Sequence, residues 1–194
     1  MTSLAVLFNG GGTTVLNLLD HIEDGKLDAK IVLAIASRDD IAGIDRLAER
    51  CIDVAIARQE GDSSEDIDSK VQAWLDESKP DLILLCGYLR HFKLKPWMQG
   101  RVLNIHPALL PDFGGKGMYG LHVHEAVIKS GRDTSGCTVH FVDEQYDHGS
   151  AIVQKTCEVK SCDSPQTLAE RVFSLECQAY PEAIKKLSKQ LKVC

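Results

Sequence analysis

The sequence predicts an α/β protein, a three-layer sandwich whose twisted and largely parallel sheet ends in a C-terminal antiparallel hairpin. Three observations predict this class. Short apolar runs alternate with helical patterns through the first half of the chain, which is typical of parallel strands covered on both faces. A glycine-rich loop joins the first apolar run to the first helical pattern. In the second half, two apolar runs flank a polar turn, and this pattern indicates a hairpin.

The first half of the chain supplies four predicted strands and three predicted helices. The strands are expected at 4–8, 30–36, 54–57 and 82–85, and the helices at about 15–22, 41–51 and 64–77. Thr13 or Thr14 is a candidate cap for the first helix, because a hydroxyl can accept a hydrogen bond from an N–H of the first turn. The run Asp62-Ser63-Ser64-Glu65 has the cap and acidic first-turn signals of the third helix.

The second half begins with a short strand that ends near Leu103. Asp112 to Gly120 is rich in glycine and has no periodicity, so we expect a mobile loop that can act as a lid. A helix is predicted from His122 to Ile128, and the hairpin strands at 137–141 and 151–154. Ser164-Pro165 opens a long amphipathic helix with an expected bend near Pro181.

Composition limits the function classes. The 194 residues and 21.3 kDa fit one domain, and a net charge of -6 with a pI near 5.6 argues against general affinity for nucleic acid. No apolar run approaches the ~18 residues of a membrane span, and no charged leader precedes the first strand, so we expect a cytoplasmic protein. Seven scattered cysteines without a C-x-x-C pair indicate reduced, mostly buried side chains.

The segment Asn104-Ile105-His106-Pro107 carries the strongest chemical signal. Side chains two residues apart on an extended backbone point to the same side, so Asn104 and His106 can face one reacting atom together. An amide N–H and a titratable imidazole can stabilise an oxyanion and move a proton in acyl transfer. The alternative is that both side chains only make local hydrogen bonds at a strand end.

The loop Asn9 to Thr14 is a candidate anion site. Small residues let backbone N–H groups converge at the start of a helix. The loop has neither the G-x-G-x-x-G nor the P-loop pattern, so it indicates phosphate in general, and a tight strand-to-helix turn is the alternative. Ligands bind at the carboxyl ends of parallel strands, where we expect this loop to meet 86–90 and 104–111.

Other candidate residues have structural alternatives. Asp147, close to Gly149 in the hairpin connection, can simply form the turn, and His140 can be a satisfied core histidine. His122 and His124 with His106 suggest zinc, but a two-residue separation on a helix points side chains apart, so we expect no metal. Cys86 and Cys137 are expected to pack, and Lys116 either reaches a substrate carboxylate or stays solvated.

Taken together, these segments resemble the phosphoribosylglycinamide formyltransferase family over nearly the whole chain. The most specific matches are Asn104 to Pro111 and the hairpin segment Gly136 to Gly149. The resemblance implies the formyltransferase fold with a Rossmann-like N-terminal half. It also implies a single domain, 1–194, with a nucleotide-phosphate half of about 1–100 and a folate and catalytic half of about 101–194.

The family pattern assigns roles to residues of this chain. It makes Asn104, His106 and Asp147 the catalytic set. The implied substrate contacts are Gly10, Gly11, Gly12, Thr13, Thr14, Gly87, Pro107 and Glu176, the glutamate holding the ribose. The implied folate contacts are Leu89, Arg90, His91, Phe92, Val139 and Val142.

Three positions depart from the family pattern. Thr14 stands where many members have asparagine, and Ser64 where an arginine is common, so one phosphate contact and one substrate contact are in doubt. Gly114 to Gly120 is longer and richer in glycine than the usual segment. These changes leave the implied reaction type intact.

The implied reaction moves the formyl group of 10-formyltetrahydrofolate to the amine of glycinamide ribonucleotide in purine biosynthesis, with no metal, in a monomer or homodimer. Asp147 is expected to favour the imidazolium of His106 and to pass the amine proton on. The alternatives are a formyltetrahydrofolate hydrolase, a transferase for another amine, and a non-catalytic folate or nucleotide binder. The extra domains usual in the deformylase and in methionyl-tRNA formyltransferase are not expected here.

Overall fold

The computed structural model describes residues 1–191. Its elements in chain order are β1 (Thr2–Phe8), α1 (Thr13–Glu23), β2 (Ala29–Ala36), α2 (Gly43–Ala48), β3 (Val54–Ile56), α3 (Ser64–Ser78), β4 (Leu82–Cys86), β5 (Val102–His106), α4 (Leu121–Lys129), β6 (Thr134–Phe141), β7 (Ala151–Glu158) and α5 (Pro165–Leu191), with a short 3-10 helix at Pro96–Met98. The predicted α/β class is confirmed: the seven strands form a mostly parallel sheet that ends in an antiparallel hairpin.

The chain divides into two compact units, the first spanning Met1–Lys93 and the second beginning at Leu94. The single domain with a change of role near residue 100 stays a prediction. None of the helices in the described part of the chain is long and apolar enough to cross a membrane.

The first unit contains four parallel strands in the order β3-β2-β1-β4. The side chains of β4 and nearly all those of β1 are buried, as a strand covered on both faces requires. Phe8 pairs with Cys86 at the carboxyl ends of β1 and β4. The loops that follow Phe8 and Cys86 therefore leave the sheet side by side, as predicted for these two of the three loops.

Local sequence signals explain where α3 begins. Ser63 accepts a hydrogen bond from the Asp66 N–H, and the Asp66 carboxylate accepts one from the Ser63 N–H, which makes the capping box of α3. The predicted start of this helix is confirmed.

Two predictions in the first unit are wrong in detail. Neither Thr13 nor Thr14 caps α1, because Gly12 takes the cap position with a left-handed backbone and no side-chain hydrogen bond is made there. Helix α2 is shorter than 41–51. It ends early because Cys51 has a φ of 56° and Ile52 N–H bonds back to the Leu47 carbonyl.

The second unit contains the antiparallel strands β5-β6-β7 and two helices. Asn104 pairs with His140 across β5 and β6, and His106 pairs with Thr138. Helix α5 packs on β6 and β7, and α4 packs on α5. The helix α5 continues through Pro181.

Candidate active site

Strand β5 presents Asn104 and His106 on one side of the sheet. The strand is five residues long, and its residues Val102, Leu103 and Ile105 are buried. Alternation along the strand then places the amide and the imidazole on the same face, as predicted. The His106 side chain is only 4% exposed, so water has little access to it.

Asp147 lies at the centre of the polar cluster. Its Oδ1 is 3.3 Å from Asn104 Nδ2 and 3.5 Å from His140 Nε2. Its Oδ2 is 3.4 Å from His106 Nδ1. The structure thus brings the predicted set of Asn104, His106 and Asp147 together, and it adds His140. We call these four side chains the Asp147 cluster.

The start of the glycine-rich segment is fastened to the same cluster. The Phe113 carbonyl lies 2.8 Å from His106 Nε2, and the Gly115 N–H donates to Asp147 Oδ2 over 2.9 Å. Gly114 fits between them because a Cβ there would lie 2.6 Å from Leu110 Cδ2 and 3.1 Å from Asp147 Cβ. Residues 113–115 therefore hold the histidine and the aspartate in place, whereas the lid role of 114–120 stays a prediction.

The hydrogen bond to Phe113 fixes the proton on His106. A carbonyl oxygen only accepts, so Nε2 carries the hydrogen, and in the neutral ring Nδ1 is bare. That bare nitrogen faces the Asp147 carboxylate, another acceptor. A proton added at Nδ1 would turn this repulsion into an ion pair.

Burial and charge oppose each other in this cluster. Burial lowers the pKa of His106 below its ordinary value, although Asp147 and the Phe113 carbonyl act to raise it. Burial also acts to raise the pKa of Asp147, but the polar groups around the carboxylate, the Gly115 N–H among them, outweigh burial and hold that pKa below its ordinary value. Asp147 thus favours the imidazolium of His106, as expected, but burial outweighs it, so the resting site pairs an ionised Asp147 with a neutral His106.

A second set of hydrogen bonds anchors the chain that follows β5. The fully buried Thr138 hydroxyl donates to the Ala108 carbonyl and accepts from the Leu110 N–H. The Gln154 amide donates to Thr138 Oγ1 and to the Leu110 carbonyl. The hairpin thereby fixes the path of the backbone between His106 and the segment 113–115.

The glycine loop in the first unit is shaped by its packing. Gly12 has a φ of 65° and lies against α2, where a Cβ would approach Gly43 Cα to 3.3 Å. Gly43 N–H donates to the Gly10 carbonyl, and Arg46 Nη1 donates to the Gly11 carbonyl over 2.7 Å. The loop is therefore a fixed backbone structure with a cation beside it, and Thr13 and Thr14 start α1 directly after it.

The loop after β4 also carries a cation. Arg90 Nη2 lies 2.8 Å from Asp68 Oδ1 and donates to the Ser64 carbonyl, while Lys93 pairs with the other oxygen of Asp68. Gly87 begins this loop with a φ of 75°. Of the predicted folate contacts here, Leu89 and His91 are exposed and Phe92 is buried.

The remaining predicted contacts lie in the second unit. Val139 is fully buried in β6, while Pro107 and Val142 are partly exposed. Glu176 is half-buried on α5, and burial raises its pKa from 4.5 to about 7. A carboxyl with this pKa changes its charge near neutral pH.

The histidines and cysteines that could have formed a metal site or a nucleophile differ in burial and surroundings. His122 is exposed beside Glu125, whereas His124 is buried in electrostatic range of His106. Within residues 1–191 no three His, Cys, Asp or Glu side chains form a group that could hold a metal. Cys137 is buried and its pKa is raised to about 12, which suits packing, and Cys86 is buried too. The described cysteines are free thiols, and Cys194 lies outside the described residues.

Several contacts were missed by the sequence reasoning. The sequence favours a core role for His140 and gives no signal for Arg46, Phe113 or Gln154. Alternation along the run Thr138-Val139-His140 is the one signal for His140, and the structure pairs this residue with Asn104.

Comparison with known proteins places these features in a family. The formyl transferase family model matches residues 2–184. The chain is 37% identical to chloroplastic phosphoribosylglycinamide formyltransferase of Arabidopsis thaliana over 93% of this chain and 63% of that protein. It is also 37% identical to the trifunctional purine biosynthetic protein adenosine-3 of Gallus gallus, over 94% of this chain and 18% of that protein. The chain thus spans less than two thirds of these curated relatives.

Solved structures agree with the fold. Glycinamide ribonucleotide transformylase 1 from Symbiobacterium toebii superposes with a TM-score of 0.87 at 30% identity, over 98% of this chain and 89% of that one. Phosphoribosylglycinamide formyltransferase from Brucella melitensis superposes with a TM-score of 0.84 at 32% identity, over 96% and 95% of the two chains.

Proposed function

The chain belongs to the formyl transferase family, and from this premise we propose that it transfers the formyl group of 10-formyltetrahydrofolate to the amine of glycinamide ribonucleotide, a step of purine biosynthesis. The relatives named for this reaction support the proposal. The observation that carries it is the convergence of Asn104, His106 and Asp147 in one buried cluster. An amide donor, an imidazole and a carboxylate suit formyl transfer to an amine, because they can stabilise an oxyanion and move a proton.

In the proposed reaction the amine nitrogen attacks the formyl carbon. A new C–N bond forms, the carbonyl oxygen takes the negative charge, and the bond between the formyl carbon and N10 of the folate then breaks. The attacking amine loses one proton, and N10 gains one as it leaves. Atoms and charge balance without a metal or an oxidant.

Each side chain has a part in this proposal. The Asn104 amide N–H and a protonated His106 Nδ1 donate to the oxyanion, and one such donor typically contributes on the order of 10² to 10³ in turnover. Because His106 is neutral in the resting site, its Nδ1 takes up the proton that the attacking amine releases, relayed by Asp147, and gives it back when the bond to N10 breaks. Asp147 carries the amine proton toward N10, since it is ionised and next to both donors.

The substrate contacts are proposals of the same kind. The backbone N–H groups of 10–14, with Arg46 beside them, suit a phosphate group. Glu176 would hold a ribose hydroxyl, with Gly87 and Pro107 as further contacts. The folate would meet Leu89, Arg90, His91, Phe92, Val139 and Val142, and Arg90 supplies a cation at Ser64, where the family arginine is missing.

The compartment and the assembly also stay proposals. We retain the cytoplasm and a monomer or homodimer, although plant relatives are named as chloroplastic. We also retain the absence of nucleic-acid and metal partners, which the net charge of -6 favours for nucleic acid.

The test is an assay of folate deformylation with and without glycinamide ribonucleotide. We expect turnover only when the amine is present, and a loss on the order of 10² or more in Asn104→Ala and His106→Ala. A matched control is His122→Ala, which removes an exposed imidazole 16 residues away in sequence. Deformylation without the amine would favour the hydrolase, and binding of both ligands without turnover would favour the non-catalytic binder.

A further inference from the structure

The imidazole of His140 lies between two groups on which the proposed reaction depends. Its Nε2 is 3.3 Å from Asn104 Nδ2 and 3.5 Å from Asp147 Oδ1. Its Nδ1 is 2.8 Å from the Phe141 carbonyl. The side chain is 2% exposed, so protein groups and not water decide its hydrogen bonds.

The Phe141 carbonyl decides the tautomer of His140. The carbonyl accepts a hydrogen bond and cannot donate one, so the hydrogen of the neutral ring lies on Nδ1. Nε2 is then a bare acceptor that points at Asn104. The ladder between β5 and β6 fixes this approach, because Asn104 and His140 are direct partners in it.

A bare Nε2 decides in turn which way the Asn104 amide faces. With Nδ2 toward the cluster, one N–H of the amide can donate to His140 Nε2, and the second, which faces Asp147 Oδ1 in the free protein, is the one that can turn to the oxyanion. With the amide turned over, its oxygen would face two acceptors at hydrogen-bonding distance, which is unfavourable because none of the three atoms can donate. The acceptors therefore select the orientation in which Asn104 presents N–H groups.

We propose that His140 is a positioning residue that keeps the Asn104 amide turned with its N–H groups toward the reacting atoms. The proposal rests on the proposed function, because the N–H groups matter as donors to the oxyanion. His140 itself need not touch the substrate. It acts through the acceptor nitrogen that it holds opposite Asn104.

Two substitutions separate this role from a structural one. The side-chain amide of Gln in His140→Gln can reach the position of Nε2, so an acceptor toward Asn104 is kept. The shorter amide in His140→Asn reaches only the position of Nδ1 and keeps the bond to the Phe141 carbonyl. If His140 positions Asn104, the Gln variant should be the more active of the two. If His140 only ties the strand to Phe141, the Asn variant should be the more active.

We expect kcat of His140→Gln to stay within about threefold of the wild type and kcat of His140→Asn to fall by about tenfold to hundredfold. This loss is smaller than the factor of about 10² to 10³ expected when an oxyanion donor is deleted. KM should change little in either variant, because the donors act on the transition state. Thermal unfolding of both variants controls for stability. Equal losses in the two variants, or a more active Asn variant, would overturn the proposal.

A measurement without turnover separates this proposal from the proposed function. The ¹⁵N chemical shifts of the imidazole nitrogens distinguish a bare nitrogen from a protonated one, and His140→Gln assigns the signals. We expect a protonated Nδ1 and a bare Nε2 in the free protein. A protonated Nε2 would overturn the proposal, even in a protein that transfers formyl groups. An inactive wild-type protein with the expected shifts would instead refute the proposed function and leave the acceptor role of His140 Nε2 supported.

Discussion

The glycine loop of the first unit and the Asp147 cluster of the second are built in opposite ways. The loop at 9–14 offers backbone groups, and its shape comes from left-handed Gly10 and Gly12, with Gly12 packed against Gly43 and Gly11 beside Arg46. The cluster offers side chains that are buried or partly buried and that contact one another through polar atoms. In the loop the side chains at Thr13 and Thr14 can vary while the backbone shape is kept. In the cluster Asn104, His106 and His140 lie on conventional strands and Asp147 lies in the turn between β6 and β7, and the chemistry resides in the side chains.

The largest effect should come from the centre of the cluster. Asp147→Asn keeps the size and removes the charge that faces His106 and His140, so we expect turnover to fall on the order of 10² or more. Asp143→Asn is the matched control in the same hairpin connection, because Asp143 pairs with the exposed His148. Steady-state kinetics of the two variants provide the comparison, and similar losses in both would contradict a special role of Asp147.

The support beneath the cluster should matter for stability. Thr138→Val removes the hydroxyl that donates to the Ala108 carbonyl and accepts from Leu110 and Gln154. Leaving these buried groups unsatisfied should lower the free energy of unfolding by about 1–3 kcal/mol. Thr138→Ser, which keeps the hydroxyl, is the control in urea denaturation. Equal stability of the Val and Ser variants would show that the hydroxyl contributes nothing.

The glycine loop can be tested through its backbone. Gly12→Ala adds a Cβ at a φ of 65° that would lie 3.1 Å from Leu47 and 3.3 Å from Gly43. Gly25→Ala adds one at a φ of 69° with open space around it. Both carry the cost of a left-handed alanine, about 1–2 kcal/mol, but only Gly12→Ala also crowds its neighbours. Urea denaturation should therefore rank Gly12→Ala as the less stable variant, and the reverse order would contradict the packing of the loop.

The parts of the fold and of the site that could be predicted from the sequence are those that depend on neighbouring residues. For six strands, the apolar runs predicted most of the ends to within about two residues of the structure. The spacing of Ser63 and Asp66 predicted the start of α3. Both signals are local in sequence. The spacing of Asn104 and His106 predicted a shared face for the same reason. The bonds of His106 to Phe113, of Arg46 to Gly11 and of Gln154 to Thr138 join residues 7, 35 and 16 positions apart, and no local pattern encodes them.

A smaller effect on the pH dependence of stability is expected at Glu176, which lies outside the Asp147 cluster. Burial raises the pKa of Glu176 to about 7 in the folded protein, so the folded state binds a proton that the unfolded state has lost. The contribution is therefore stabilising at acidic pH and is lost as the pH rises through about 7. Glu176→Gln should gain stability relative to the wild type between about pH 5.5 and about pH 8 in urea denaturation. A constant difference between the two proteins would contradict the raised pKa.

The smallest effect is expected at the side chain that departs from the family pattern. If the loop binds phosphate through its backbone, Thr14→Ala should change the apparent affinity for glycinamide ribonucleotide by about half a kcal/mol or less. Arg46→Ala, which removes the cation at Gly11, should weaken it more. Calorimetric titration of both variants checks the order, and a larger loss in Thr14→Ala would show that side chains matter there too.

The backbone of Asp147 has a consequence for the evolution of such proteins. Its φ of 55° lies in the left-handed region, which glycine, asparagine and aspartate tolerate better than other residues. Replacement by asparagine or glycine would remove the charge and leave the turn intact. If Asp147 has the proposed catalytic role, a gene copy freed from selection would lose catalysis through one substitution at this turn and keep its fold.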